Sequence, residues 1–464
     1  MNLKLQQFKK DIAGKKVAVL GLGVSNTPLV RYLADLGVDI TVFDRAEEAE
    51  LGEVLDTLKG FDIQFHLGEG YLEALKGFDV IFKTPKVRFD IPELNAERER
   101  GAVVTSEMEV FCDLCPAKIF AVTGSDGKTT TTTLIYNILK EQGYHCWLGG
   151  NIGTPLLDKI DRIAEEDMVV LELSSFQLHT MKNRINRAVV TNLAPNHLDV
   201  HTSMDEYVDA KKNIFRHQTA DDVLVLNYDN EITRSFAAEA KGRVVFFSRT
   251  RSLEKGMVLE NGFFVYRTEQ GSKTLLNAGD IKLPGVHNIE NYLAAAAAVA
   301  DYVEPGSIRN TAVSFKGVEH RIELVREING IKFYNDSIGS SPSRTIASVN
   351  AFNQRLILIA GGYDKHIPYD DMGEMLAEKV KCLVLIGQTA EKIEAVFKNQ
   401  IKNKGLKQEI PLFKCSSLEE AVKKAYTNAS ENDIILMSPA SASFDMFKNF
   451  EERGSCFKEI VNNL

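Results

Sequence analysis

Ile119-Phe-Ala-Val-Thr-Gly-Ser-Asp-Gly-Lys-Thr-Thr130 decides the fold. Ile119 to Val122 is an apolar strand that runs into a glycine loop. The chain then carries Leu134, Ile135, Ile138 and Leu139 at helical spacing and breaks at Gly143. Strand, glycine loop, Lys-Thr and helix make a cradle for nucleotide phosphates, because loop N–H groups and the positive helix end face the anion. In such a cradle Lys128 reaches the β- and γ-phosphates and the Thr129 hydroxyl holds Mg²⁺. The usual motif has four residues between its glycines. Gly124 and Gly127 have two, so this loop is a shortened form.

Around that stretch, 464 residues make room for about three domains. An apolar fraction of 44% with 26% charged residues fits a globular chain in water. A net charge of −9 with no long basic run argues against nucleic acid as the partner. The Met1–Lys10 stretch lacks the apolar centre of a signal peptide, and no apolar run reaches about 18 residues, so no membrane insertion is expected. Of the six cysteines only Cys112 and Cys115 are close. Without a second pair they read as free thiols in a reducing compartment. A monomeric, cytoplasmic protein is the expectation.

The expected class is α/β in three domains: a Rossmann-like N-terminal domain (1–105), a central P-loop ATPase domain (106–316) and a Rossmann-like C-terminal domain (317–464). In the first, the Val17–Leu20 strand enters Gly21-Leu-Gly-Val-Ser-Asn26, a helix runs to Leu36, and the Asp39–Phe43 strand ends on Asp44. That is half of a dinucleotide-type unit, with Asn26 in place of the third glycine. It suits a nicotinamide cofactor, another nucleotide or nucleotide-sugar, or a tight turn alone. Short strands near 63–65, 80–83 and 103–104 complete this domain. Strands at 168–173, 188–191, 223–226 and 244–247 continue the second, and residues 253–283 suggest a small antiparallel insertion. In the third, strands at 355–360, 382–386 and 433–437 end in polar loops, where open α/β sheets bind ligands.

Glu172 closes Met-Val-Val-Leu-Glu, placed as the strand-end carboxylate that holds Mg²⁺ in P-loop proteins. His197 leaves the next strand in Asn196-His-Leu-Asp199 and is a candidate metal or substrate ligand. Lys211 and Lys212 lie on a helical segment, where an exposed pair is the ordinary reading. Asn288 and Asn291 share a helix face and suit an adenine edge, and Asn288 also suits a cap. His320-Arg321, Asn335-Asp-Ser337 and Lys365 cluster at strand ends of the third domain.

Together these segments resemble the Mur ligases and folylpolyglutamate synthases: Thr123-Gly-Ser-Asp-Gly-Lys-Thr129, Gly150-Asn-Ile-Gly153, Glu172-Leu-Ser-Ser-Phe-Gln177, Asn196-His-Leu-Asp199, Tyr207–Phe215, His287–Asn291, His320-Arg321 and Asn335-Asp-Ser337, in the family's order along nearly the whole chain. Within that family, Glu172–Leu178 and Ser438-Pro-Ala-Ser-Ala-Ser-Phe-Asp-Met-Phe-Lys-Asn-Phe-Glu-Glu-Arg-Gly454 look like the member that adds D-glutamate to UDP-N-acetylmuramoyl-L-alanine during peptidoglycan precursor synthesis. The resemblance implies an ATP-dependent ligase that works through an acyl phosphate. It implies ATP contacts from Gly124, Ser125, Asp126, Gly127, Lys128, Thr129, Thr130, Asn288, Asn291, Arg321 and Asp336. Two Mg²⁺ ions would be held by Thr129 and Glu172 and by His197 and Lys211, with Lys211 N-carboxylated. Lys128, His197 and Lys211 would be the catalytic set. Val24, Ser25, Asp44, Asn151, Gln177 and His197 would meet the UDP substrate.

The chain departs from the family in two places. Ile338 stands where the D-glutamate enzymes carry lysine after Asp-Ser, and an acceptor with two carboxylates needs cations. Lys365 supplies one, and Arg344 is the candidate for the other through a bidentate fork. Ser443 and Phe450 match the family's positions in the glutamate pocket. The Thr84-Pro85-Lys86 turn replaces Ser-Pro-Gly, which brings Lys86 towards a diphosphate.

Overall fold

The apolar runs of the sequence become strands whose carboxyl ends carry the glycine and polar loops. A computed structural model describes residues 2–194, 203–365, 367–403 and 410–464. They fall into two units: one runs to Asp280 and takes up Ile289–Thr311, the other combines Ile281–Asn288 with Ala312–Leu464.

The first unit holds two sheets. Strands β1 (Lys16–Leu20), β2 (Asp39–Asp44), β3 (Ile63–Leu67), β4 (Val80–Lys83) and β5 (Val103–Thr105) form a parallel sheet in the order β3-β2-β1-β4-β5. The second sheet comprises β6 (Lys118–Thr123), β7 (Cys146–Gly150), β8 (Met168–Glu172), β9 (Arg187–Val190), β10 (Val223–Asn227), β11 (Arg243–Ser248), β12 (Gly256–Glu260), β13 (Phe263–Thr268) and β14 (Gly271–Asn277). Its order is β14-β13-β12-β11-β10-β9-β6-β8-β7. The segment expected as a small antiparallel insertion forms antiparallel hairpins, β12 with β13 and β13 with β14, and also extends this sheet, because β12 pairs in parallel with β11 at Phe247↔Met257. Local alternation shows the hairpins but not the tertiary pairing that joins them to the sheet. One apolar cluster includes Val17, Leu29 and Leu33 as well as Leu157, Ile160 and Leu171, so both sheets share a core.

Register sets the site. β6 lies between β8 and β9, with Val122 level with Glu172 on one side and Thr123 level with Val190 on the other. The glycine loop, Glu172 and the 191–194 segment therefore leave the same edge.

The second unit carries β15 (Glu323–Ile328), β16 (Ile331–Asn335), β17 (Leu356–Gly361), β18 (Val380–Ile386), β19 (Leu412–Lys414) and β20 (Ile434–Met437), ordered β15-β16-β20-β17-β18-β19. β20 is inserted between β16 and β17, so Asp336, Gly361 and Ser438 emerge side by side. The Phe450–Asn462 helix is capped by Asn449, whose side chain accepts from the Glu452 N–H, and it buries Arg453, Gly454, Phe457 and Val461.

Candidate functional site

The Lys128–Glu141 helix begins at Gly127, whose φ of 77° is a conformation that glycine adopts without strain. A Cβ there would overlap Asn291 Oδ1, and one on Gly124 would overlap Thr191 Oγ1. The shortened loop is thus closed on both sides by atoms of other elements. It is also stitched to the segment after β9. The Ser125 N–H donates to Asn192 O at 2.8 Å, the Asp126 N–H to Asn192 Oδ1 at 2.9 Å, and Ser125 Oγ to Ala194 O at 2.9 Å.

Behind the loop stands the Met204–Arg216 helix. Ser203 starts it by accepting from the Glu206 N–H, and Asp205 and Glu206 complement the positive end of its dipole. Tyr207 and Lys211, one turn apart on the same face, are both buried. Tyr207 Oη is hydrogen-bonded to Ser125 Oγ at 3.0 Å. Lys211 Nζ donates to Thr123 Oγ1 at 3.1 Å and to Gly124 O at 2.9 Å. Lys211 is therefore not the exposed lysine that its pairing with Lys212 suggests: it is 1% accessible. Burial, reinforced by the Lys128 cation, pushes its pKa well below the ordinary lysine value. Lys128 Nζ donates to Gly124 O at 2.9 Å and Ser125 O at 2.8 Å.

Glu172 is 1% accessible. Its Oε1 accepts from Asn151 Nδ2 at 2.8 Å, while its buried Oε2 has no hydrogen-bond partner among the described residues. A buried carboxylate oxygen left open in this way, beside the candidate phosphate loop, is of the donor type that a hard divalent cation requires. Gly150 turns the chain here with φ 96°, and a Cβ on it would overlap the Glu172 carbonyl. Gln177 Oε1 accepts from both Ser174 N and Ser174 Oγ at 2.9 Å, closing a capping box. Asn291 Oδ1 accepts from Thr131 Oγ1 at 3.4 Å. His197 lies outside the described residues.

Asp44, at the end of β2, accepts from the Leu22 N–H of the loop after β1 at 2.6 Å and from the Ala46 N–H at 2.8 Å. Asn26 Nδ2 donates to Leu20 O at 3.1 Å and Gly21 O at 3.0 Å, so the residue in the third-glycine position braces the loop. Val24 is 81% exposed, and Ser25 makes no side-chain capping bond. Lys86 is exposed.

In the second unit Asp336 is buried and accepts from Ser438 Oγ at 2.6 Å and the Ile322 N–H at 3.3 Å. Burial raises its pKa to about 6 against those bonds and the Arg321 cation. Asn335 Nδ2 donates to His320 Nδ1 at 2.9 Å, and Gly454 lies so close that a Cβ would overlap that ring nitrogen. Arg344 Nη1 donates to Ile338 O at 3.2 Å. Lys365 Nζ stands 6.0 Å from the Phe444 ring centroid. Asn288 Nδ2 donates to Pro284 O at 2.7 Å. Ser443 is buried, and its carbonyl accepts from the Met446 and Phe447 N–H groups. The Phe450 carbonyl accepts from Ser337 Oγ at 2.7 Å.

Comparison with known proteins places this geometry. The chain is 65% identical over 464 residues to the UDP-N-acetylmuramoylalanine–D-glutamate ligase of Acetivibrio thermocellus, spanning 100% of both chains, and 58% identical, again over 100% of both, to the enzyme of that name from Ruminiclostridium cellulolyticum. The chain belongs to the Mur ligase family. Residues 15–106 match the MurD-like N-terminal domain of Mur ligases, 122–299 the Mur ligase middle domain and 320–441 the Mur ligase glutamate ligase domain. A solved UDP-N-acetylmuramate-alanine ligase from Thermotoga maritima shares the fold at 20% identity and a TM-score of 0.59, over 97% of this chain and 99% of that one. A pseudomurein peptide ligase type C from Methanothermus fervidus does so at 21% and 0.54, over 97% and 100%.

In this Mur ligase the structure brings together Gly124 to Thr130, Glu172, Asn151, Lys211 and Asn291 at one sheet edge. It groups Asp336 and Arg321 at another, with Arg344 bonded to the Ile338 that follows them. Sequence reasoning passed over two residues. Tyr207 supports the loop, and its spacing of four from Lys211 was the available signal. Arg453 is fully buried: Nε donates to Ser337 Oγ at 3.0 Å, Nη2 to Ser337 O at 2.8 Å, and Nη1 to Ser441 O at 3.1 Å and Ala442 O at 2.9 Å. Its only sequence signal is an arginine in phase with the apolar face of Phe457 and Val461.

Proposed function

We propose that this chain joins the amino group of D-glutamate to the alanyl carboxyl of UDP-N-acetylmuramoyl-L-alanine, using ATP, in peptidoglycan precursor synthesis. The observation that carries the reading is full-length identity of 65% with a named D-glutamate ligase. In the reaction the carboxylate oxygen takes the γ-phosphoryl group and ADP leaves. The D-glutamate amine then attacks the acyl carbon, loses a proton, and the acyl–oxygen bond breaks to release phosphate.

Carboxylate and γ-phosphate repel each other, so the chain must supply positive charge where they meet. Lys128 and the loop N–H groups from Gly124 to Thr130 are assigned to the phosphates. Thr129 and the open oxygen of Glu172 are assigned to one Mg²⁺, and His197 with N-carboxylated Lys211 to a second. Bound there, the ions would neutralise phosphate charge. Asn288, Asn291, Arg321 and Asp336 are assigned to ATP, and Val24, Ser25, Asp44, Asn151 and Gln177 to the UDP substrate. Arg344, Lys365, Ser443 and Phe450 are assigned to D-glutamate, with domains 1–105, 106–316 and 317–464. A monomeric, cytoplasmic enzyme belongs to the same reading and rests on the resemblance.

The test is ATP-dependent phosphate release with UDP-N-acetylmuramoyl-L-alanine and a panel of amino acids. D-glutamate alone should support it. Release with L-lysine or meso-diaminopimelate but not D-glutamate overturns the assignment. For Lys211, the Lys211→Ala enzyme should be slow and regain part of its rate with added short carboxylates. Full activity without them removes the carboxylated lysine.

A further inference from the structure

Arg88 lies in the loop between β4 and the Pro92–Glu99 helix. Its guanidinium forks onto Asp90, Nε to Oδ1 and Nη2 to Oδ2, both at 2.9 Å. Nη2 also reaches Glu206 Oε1 at 3.3 Å, on the first turn of the Met204–Arg216 helix. The neighbouring Phe89 meets the His179 ring edge-on at 4.4 Å, and His179 Nε2 lies 3.4 Å from the same Glu206 oxygen. On the side of the first sheet the loop is tied down: Lys83 Nζ donates to Val87 O at 3.2 Å and Arg98 Nη1 to Phe89 O at 2.6 Å.

The far end of this link is the phosphate loop. Tyr207, adjacent to Glu206, bonds Ser125, and Lys211 one turn on bonds Gly124. The near end is the nucleotide-sugar loop: the Thr84 N–H donates to Leu20 O at 3.0 Å, and the Thr84 methyl fills the space a Cβ on Gly21 would need. One rigid helix is thus fastened at its first turn to a loop of the first sheet and along its next turn to the reaction loop.

We propose that Arg88 is a positioning residue for ligation: through Glu206 it fixes the seat of the helix that carries Tyr207 and Lys211. This rests on the reading of the phosphate loop and Lys211 as the reaction centre. A partly exposed ion pair adds little to global stability, so its loss leaves the chain folded. Its effect falls on the placement of reacting groups, where small displacements cost large factors in rate.

The full chain is compared with Arg88→Ala, Glu206→Gln and the double variant. Each single change lowers kcat about tenfold, leaves the KM for D-glutamate within about twofold, and leaves Tm nearly unchanged. The double variant is no slower than the worse single one, because both remove the same link. Backbone hydrogen exchange over residues 204–216 rises about threefold or more in all three variants. Unchanged exchange in that helix, or rate losses that multiply, overturns the proposal. If the native chain fails to release phosphate with D-glutamate, the ligase reading fails instead, and the exchange measurement still decides the Arg88 link.

Discussion

Replacing Arg453 with methionine should separate the two loops that its guanidinium joins. The side chain is fully buried and donates to Ser337 Oγ, Ser337 O, Ser441 O and Ala442 O. Methionine fills much of the volume and none of the bonds. Each buried acceptor stripped of its donor costs about 1–3 kcal/mol. Part of that is offset because a buried cation no longer has to be held, and burial already lowers the arginine pKa to about 10. A net loss of about 3 kcal/mol follows, at the lower end of what breaking a buried charged network costs. For a folding unit of roughly 150–250 residues, each kcal/mol moves Tm by about 2–4 °C, so the transition should fall by about 6–12 °C. Ser441 and Ala442 precede the assigned pocket residue Ser443, so the KM for D-glutamate should rise about tenfold for a loss of about 1.4 kcal/mol in binding. Scanning calorimetry and initial rates at varied D-glutamate read both effects. A Tm within 2 °C of native (about 1 kcal/mol or less) together with an unchanged D-glutamate KM would refute the argument. Arg453→Lys should fall between, because one ammonium cannot span the acceptors that the planar fork reaches.

Three further expectations are open to measurement. Glu172→Gln should cut kcat at saturating Mg²⁺ by about a hundredfold or more with Tm close to native; a magnesium titration of activity that matches native removes Glu172 from the metal. Glu107 is buried, accepts from the Leu157 N–H, and is raised by burial to about 7. A carboxyl whose folded pKa exceeds its unfolded value binds more protons when folded, so its contribution is full below about pH 4.5 and is lost as pH rises to about 7. Urea unfolding at pH 5 and pH 8 should therefore show Glu107→Gln gaining on native by about 2.5 kcal/mol across that range, and parallel pH profiles contradict this. Arg344→Ala should raise the KM for D-glutamate well above any change for ATP; an unchanged D-glutamate KM takes the arginine out of the pocket.

The strand–glycine loop–helix around Gly124 was legible because its physics is local: a strand, two glycines, a lysine and a helix in one short run. Glu172 was legible for a similar reason, as a carboxylate closing an apolar strand. Lys211 was not legible from spacing and entered only through the family resemblance, since Lys-Lys on a helix reads as a solvated pair until tertiary packing turns one ammonium onto Gly124. β7 escaped notice because Cys-Trp-Leu-Gly-Gly lacks the β-branched alternation of a strand and is held by its pairing with β8. Asn26 looked like a defect in a glycine fingerprint, yet its amide braces the loop by binding two carbonyls. What the sequence hides here is long-range satisfaction of polar groups, which has no short-range period.

The three glycines at the proposed phosphate site differ in what obstructs a larger residue. At Gly127 the obstacle is the Asn291 side chain, and at Gly124 it is the Thr191 hydroxyl; at Gly150 it is the main-chain carbonyl of Glu172. At the first two, trimming the opposing side chain relieves that clash and leaves only the cost of the positive φ, 77° at Gly127 and 152° at Gly124. At Gly150 no second-site substitution can shorten a peptide carbonyl, so suppressors of a Gly150 lesion should be the hardest of the three to isolate.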